Sequence, residues 1–469
     1  MIKYPLFFIV CTLLFSSCKE TPHEVEFWLT DPGQNIKLER QKPLGIQEDK
    51  NSLLPLVEIS IDPKSTFQEM DGFGFTLSQG SAKHLLGMSE SVRKALLEEL
   101  FGINSDQIGI SYLRLSVAAS DLNERPFSYD DLNDSLATDP ELKYFDLGPD
   151  RNDVIPVLKE ILSINPNIKL MASPWSPPAW MKDNKDTRGG SLLEKYEEVY
   201  AKYLVKYIEQ MEAEGIHIDA LTIQNEPLHP GNNPSLLMLP EQQARFIGLH
   251  LGPAFKKAGI DTKIIIYDHN ADRPDYPITV LSDSLANPFI DGSAFHLYGG
   301  EIGALSEVHR EFPDKNIYFT EQWIGAPGNL SGDLSWHVEN LIIGASGNWA
   351  KTVLEWNLTS NPTLTPYTYR GGCNRCLGAV TIDGDSVTRN PAYYIVGHAS
   401  KFVLPGSKRI ESNLAEGLPN VAFLRPDGKI VLIVLNNQEK TQAFEFSTDK
   451  TGFKSELNSG AVGTFVWDN

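Results

Sequence analysis

LEKYEEVYAKYLVKYIEQMEAEGIHIDALTIQNEP, residues 193–227, reads as a helix followed by a strand. Over 193–214 the apolar and aromatic positions are Tyr196, Val199, Tyr200, Tyr203, Leu204, Tyr207, Ile208 and Met211. They follow the i, i+3, i+4, i+7 spacing of one helix face, so the tyrosines are expected in packing rather than in a binding stripe. Gly215 ends the helix. The short apolar run at 220–224 then has the length and bounds of a buried strand.

The same alternation continues on both sides. Strand candidates are 67–77, 111–118, 168–173, 220–224, 263–267, 292–297, 317–320 and 352–355, with helical stretches between them. Eight β/α units predict a (β/α)8 barrel with insertions over 66–402. An open doubly wound sheet would call for a glycine-rich phosphate loop after its first strand, and Gly72-Phe73-Gly74 lacks the third glycine. Beyond 402 the pattern changes to short strands at 421–424, 429–435, 443–446 and 463–467, separated by turns such as Pro426-Asp427-Gly428. These predict a small β-sandwich over 403–469, completed by strands near 25–29 and 56–61 from the 19–65 segment. The fold class is thus α/β: a barrel with a sandwich built from both ends of the chain.

The 469 residues carry a formal charge of −20, which disfavours nucleic acid and anionic surfaces as partners. Residues 1–18 read as an export signal: Lys3, an apolar stretch over 6–15, then small residues before Cys18. Leu14-Phe15-Ser16-Ser17-Cys18 is similar to a bacterial lipobox, so Cys18 is the expected lipidation site. The expected location is the bacterial outer membrane, with that lipid anchor as the sole membrane attachment and the protein a monomer. Cys373 and Cys376 are left as a Cys-x-x-Cys pair. A local disulfide, a redox pair and half of a zinc site are all compatible with that spacing.

Barrel chemistry sits where strands end at the carboxyl face. The fourth strand ends Gln224-Asn225-Glu226-Pro227 and the seventh Thr320-Glu321-Gln322-Trp323. Two carboxyls across a barrel mouth are what glycoside hydrolysis needs: one protonates the leaving oxygen, the other attacks or activates water. Taken singly, either could be an ordinary salt-bridged strand-end carboxylate. Other strand ends are aromatic: Trp175 and Trp180 after the third, His296 and Tyr298 on the sixth, Trp356 after the eighth. Sugars stack their C–H faces on such rings. Arg114 could hold a nearby carboxylate ionised, and Asp121 follows on the same strand end. Neither a His-Glu-x-x-His pattern nor a Gly-x-Ser-x-Gly elbow occurs. Asp268-His269-Asn270 offers ligand-type residues without an evident partner set, so neither metal nor cofactor is expected, and Tyr267 and Asp268 are read as shaping the fifth loop.

Together these motifs resemble glycoside hydrolase family 30, over most of 65–469. The resemblance rests on Asp71-Gly72-Phe73-Gly74, Tyr112-Leu113-Arg114-Leu115 through Ser120-Asp121, Ala172-Ser173-Pro174-Trp175-Ser176-Pro177-Pro178, Gln224-Asn225-Glu226-Pro227, Phe295-His296-Leu297-Tyr298, Thr320-Glu321, Glu355-Trp356-Asn357 and Gly397-His398-Ala399-Ser400-Lys401-Phe402. It implies a retaining β-glycosidase with Glu226 as acid/base and Glu321 as nucleophile. It also implies sugar contacts from Asp121, Trp175, Asn225 and Trp356, with His296 and Tyr298 lining the pocket and Arg114 beside the nucleophile. Trp323, Glu355 and the 371–376 stretch depart from the glucosylceramidase pattern, where the leaving group or next sugar should bind. They point to a β-glucan, 1,6-linked in the first instance, as a partner rather than ceramide. A glucosylceramidase, a xylosidase, galactanase or fucosidase specificity, and a non-catalytic glycan-binding lipoprotein are the alternatives.

Overall fold

A computed structural model describes Met1 and residues 24–45, 56–104, 106–134, 137–449 and 451–469. The signal segment and Cys18 lie outside the described residues. No helix among those described is long and apolar enough to cross a membrane.

Eight parallel strands close into a barrel. They are β1 (Gly72–Leu77), β2 (Tyr112–Val117), β3 (Lys169–Pro174), β4 (Ala220–Thr222), β5 (Lys263–Ala271), β6 (Ile290–Gly300), β7 (Asn316–Glu321) and β8 (Ala350–Glu355). All eight expected strands are present, with one correction. The 67–77 stretch is two elements: residues 67–69 finish a long sandwich strand, Val57–Glu69, and the barrel begins at Gly72. Gly72 makes the break, because its φ is +148° and a Cβ there would meet Ser111 Oγ at 2.4 Å.

The helix read from residues 193–214 is a short 3-10 turn, Glu194–Tyr196, leading into Glu197–Ala213. Its tyrosines are core: Tyr200, Tyr203 and Tyr207 are buried, and Tyr129 stacks on Tyr203 and Tyr207.

The sandwich runs Ile36–Arg40, Glu24–Asp31, Val462–Asp468, Lys429–Leu435, Asn420–Leu424, Lys408–Ser412, Val57–Glu69, Gln442–Ser447, Gly452–Leu457 in spatial order. Both ends of the chain therefore contribute, around a separate core that includes Phe27, Phe444, Phe446, Phe465 and Trp467. Lys408–Ser412 and Gly452–Leu457 escape a reading by hydrophobic runs, because polar residues dominate them and few of their side chains are buried.

The barrel interior is layered. Tyr112, Met171, Ala220, Ala294, Tyr318 and Leu354 form part of a buried apolar floor. A strand turns the same way every second residue. Two residues on along those strands stand Arg114, Ser173, Thr222, His296, Thr320 and Trp356. An apolar plug is thus capped by a polar layer at the carboxyl end of the barrel, where the loops meet.

Candidate active site

Arg114 is fully buried at the centre of that polar layer. Its Nε donates to Ser173 Oγ (3.0 Å), Nη1 to Glu321 Oε2 (2.5 Å), and Nη2 to Asn225 Oδ1 (2.6 Å) and Asp268 Oδ2 (2.8 Å). The guanidinium also lies 4.9 Å from the centre of the Trp175 ring. One cation thereby fixes residues from β3, β4, β5 and β7 and supports Glu321, as its position on β2 implied.

Asp268 is the matching anion, and the sequence reading understated it. It is fully buried and accepts five hydrogen bonds, from Arg114, Ser173, Thr222, His296 and Thr320. Burial opposes its charge, but Arg114 and His296 hold the carboxyl well below the usual carboxylate range. Strict alternation from Ile265 would turn Tyr267 inward and Asp268 outward. A register shift between Tyr267 and His269, with left-handed backbone at Tyr267 (φ 70°) and Asp268 (φ 67°), reverses that. Asp268 is therefore a buried structural centre of the site rather than a loop-shaping residue.

Above this layer opens a cavity of about 400 Å³, lined by Asp121, Trp175, Glu226, Tyr298, Glu321, Trp323 and Trp356, with Cys373 and Cys376 in its wall. Arg114 and His296 lie beneath it and reach the lining through Glu321 and Glu226, while Asn225, expected on the sugar, is buried outside the lining with its Oδ1 on Arg114. Glu226 and Glu321 approach the same His296 Nδ1, at 3.4 and 3.9 Å. Tyr298 is a rim residue whose hydroxyl donates to Glu321 Oε1 at 2.9 Å. Trp175 and Trp356 are buried and tilted against each other, centroids 5.6 Å apart. Trp175 Nε1 is buried without a hydrogen-bond partner. Trp180, read with the aromatic group, is core: it packs edge-on to Tyr196 and donates to Asp130.

Backbone strain concentrates at the strand ends. Glu226 (φ 47°) and Asn357 (φ 80°) join Tyr267 and Asp268 in the left-handed region. Hydrogen bonds over-determine Glu226: its N–H donates to Asp268 O and its carbonyl accepts from His229 N, both at 2.9 Å.

The sequence reading missed several lining residues. His229, Asn232, His269 and Asn270 surround the Glu226 side of the cavity, and Asn232 Nδ2 donates to Glu226 Oε2 at 3.1 Å. Glu226 Oε1 lies 3.9 Å from His269 Nδ1 and 3.4 Å from His296 Nδ1, so the fold brings His269 to the acidic pair. Glu355 needs correction in the other direction. It is buried, bonded to His337 Nδ1 at 2.6 Å, and absent from the lining. Its departure from the family pattern therefore does not reach the substrate.

The charges are coupled. Burial disfavours the His296 cation, but Glu321, Asp268 and Glu226 outweigh it and raise His296 to about 9. Burial, then the Glu321 and Glu226 charges, push the Asp121 carboxyl up to about 8. Burial and the neighbouring carboxylates raise Glu321 against the pull of His296 and Arg114. In Glu226, burial is outweighed by the hydrogen bond and charge of His296, and the carboxyl is lowered. In the free enzyme these opposed directions leave the proton on Glu321 rather than on Glu226. Arg114 and Tyr298 both contact Glu321 and neither contacts Glu226, which makes Glu321 the better-supported site for the charge once a leaving oxygen draws the proton to Glu226.

Comparison with known proteins agrees with this architecture. The family model for the glycosyl hydrolase family 30 TIM-barrel domain matches residues 70–403, and that for the family 30 beta sandwich domain matches 406–465. The chain is 33% identical over 438 residues to endo-1,6-beta-D-glucanase neg1 of Aspergillus fumigatus, covering 87% of each. It is 29% identical over 439 residues to the lysosomal acid glucosylceramidase of Mus musculus, covering 87% of this chain and 83% of that one. A solved structure of the endo-beta1,6-glucanase BT3312 superposes with a TM-score of 0.86 at 33% identity, covering 95% of this chain and 99% of that one.

Proposed function

The chain belongs to glycosyl hydrolase family 30 and is a glycoside hydrolase, and from that premise we propose that it cleaves β-1,6-linked glucan with retention of configuration. The observation that carries this reading is a cavity holding Glu226, from the loop after β4, and Glu321, from the end of β7, walled by three tryptophans. Glu321, held by Arg114 and Tyr298, attacks the anomeric carbon while Glu226 protonates the leaving oxygen. Glu226 then deprotonates the water that releases the sugar from Glu321. Asp121 contacts the sugar hydroxyls, Trp175 and Trp356 contact its C–H face, and Asn225 acts from below by bracing Arg114.

The charge balance supports an uncharged substrate. At neutral pH Arg114 and His296 are cationic, Asp268 is anionic, Asp121 is mostly protonated, and of the two glutamates Glu321 is shifted toward its neutral form and Glu226 toward its charged form. The 1,6-glucan assignment is supported by the relatives whose names carry that activity, at 33% identity over 87% of the chain. It is supported also by the polar Glu226 side of the cavity, where His229, Asn232, His269 and Asn270 suit a second sugar better than a lipid chain.

The test is reducing-sugar release from β-1,6-glucan, β-1,3-glucan, xylan, galactan and glucosylceramide, with Glu321→Gln as control. Preference for β-1,6-glucan, lost in the control, is expected; a preference for another substrate overturns the assignment. The reading includes export as a monomer tethered through a lipid on Cys18, supported by the lipobox-like sequence at 14–18. Radiolabelled palmitate incorporation that disappears in Cys18→Ala tests the anchor.

A further inference from the structure

The stretch 368–377, which holds the loop at 371–376, touches the segments that follow β2, β4 and β7. Toward β2, Thr368 N–H donates to Asp121 O at 2.9 Å and Gly372 N–H to Thr368 O at 3.0 Å, and Cys373 lines the cavity beside Asp121. Toward β4, Asn233 Nδ2 donates to Tyr369 O at 2.8 Å, and Thr368 Oγ1 donates to Asn233 O. Toward β7, Cys376 and Leu377 pair with Gly325 and Ile324, and Ala326 N–H donates to Arg375 O at 2.8 Å. The loop itself leaves β8, and Cys376 packs with Leu122, Trp175 and Trp356. The approach to β2 is close. A Cβ on Gly372 would meet Thr368 O at 2.3 Å and Asp121 O at 2.9 Å.

Cys373 and Cys376 are joined by a disulfide across two residues. Closing so small a ring restricts the unfolded chain far less than a long-range crosslink does. Its consequence is local: it fixes the backbone of the loop beside Asp121.

We propose that the Cys373–Cys376 disulfide is a positioning element for glucose recognition, holding the 371–376 loop against Asp121 and the cavity wall. Cys373 and Cys376 act on the sugar through Asp121, and they set the shape of the wall beside Trp175, Trp323 and Trp356. Opening the disulfide frees Asp121 to turn away without disturbing Glu226 or Glu321, whose own supports come from Arg114, Tyr298, His296 and Asn232. This inference rests on the reading of the cavity as a β-glucoside site.

The test compares wild type with the Cys373→Ala/Cys376→Ala double variant, in Asp121 and Asp121→Ala backgrounds. Readouts are hydrolysis of an aryl β-glucoside and calorimetric binding of the glucose-configured iminosugar deoxynojirimycin. Removing the disulfide is expected to raise KM and the iminosugar Kd at least tenfold with kcat changed less than threefold. Its effect should nearly vanish when Asp121 is already alanine. A purely structural disulfide would lower Tm but leave the two effects multiplicative, and that result overturns the proposal. If the double variant does not fold, reduction of the native enzyme with dithiothreitol at 25 °C and reoxidation replaces it. A reversible rise in KM supports the proposal, and full retention of KM with both thiols labelled refutes it. Wild type that neither hydrolyses the glucoside nor binds the iminosugar refutes the site reading instead, which keeps the two failures distinct.

Discussion

Replacing Asp268 with asparagine removes one charge and almost no volume from the centre of the site. The carboxylate accepts from Arg114 Nη2 (2.8 Å), Ser173 Oγ (3.1 Å) and Thr222 Oγ1 (2.7 Å) on one oxygen, and from His296 Nε2 (3.1 Å) and Thr320 Oγ1 (2.7 Å) on the other. An asparagine must turn its NH2 toward one of those sets. The hydroxyls can rotate to accept, but Arg114 cannot, and His296 can do so only by losing its proton. Hydrogen bonds to charged groups are worth about 1.5–3 kcal/mol each, and two of the five involve Arg114 and His296. Breaking one partner of a buried ion pair costs about 3–5 kcal/mol on the same scale. If roughly 3 kcal/mol of this falls on the transition state, kcat/KM drops by about a hundredfold, at about 1.4 kcal/mol per factor of ten. Stopped assays on an aryl β-glucoside measure the loss, and scanning calorimetry measures the accompanying fall in Tm. An Asp268→Asn enzyme with kcat/KM within threefold of wild type and an unchanged Tm would refute the placing of Asp268 at the centre of the site.

Tyr298→Phe removes the hydroxyl that donates to Glu321 at 2.9 Å, a charge-assisted bond worth about 1.5–3 kcal/mol, so kcat/KM should fall about 10- to 100-fold with Tm little changed. Glu355→Ala should lower Tm through the lost bond to His337 while leaving the ranking of glucan substrates unchanged, as measured on the same polysaccharide panel. His398 joins barrel to sandwich through Thr464 Oγ1 (2.8 Å) and Thr30 Oγ1 (2.7 Å), and burial holds its imidazole down to about 3. The folded protein therefore keeps it neutral while the unfolded chain takes a proton near pH 6.5. Its contribution to stability is full above about pH 6.5 and is lost as pH falls toward 3, because the unfolded state then binds the extra proton. His398→Gln should lower stability at pH 7 by about 1–3 kcal/mol and flatten the fall of Tm with acid in that window. An unchanged acid slope would count against this.

The barrel was legible because its strands are buried on both faces and read as apolar runs between amphipathic helices. The catalytic pair was legible for a related reason: Glu226 and Glu321 each follow such a run, where the strand delivers its next side chain to the mouth. Asp268 was not, because a bulge reverses the alternation on which any strand reading depends. His229 and Asn232 follow Glu226 closely and are turned back to it by the loop after β4, whereas His269 reaches it from the end of β5, a contact that no spacing along the chain records. Glu355 was misplaced for a complementary reason: a strand-end carboxylate looks the same in sequence whether it faces the cavity or a helix carrying His337.

Incubation with a 2-deoxy-2-fluoro-β-glucoside bearing a good leaving group, followed by peptide mapping by mass spectrometry, locates the attacking carboxylate. The account predicts one fluoroglucosyl adduct on the peptide containing Glu321, and none in the Glu321→Gln variant. An adduct on Glu226, or wild-type turnover that releases sugar of inverted configuration, would contradict the double displacement assigned to this pair.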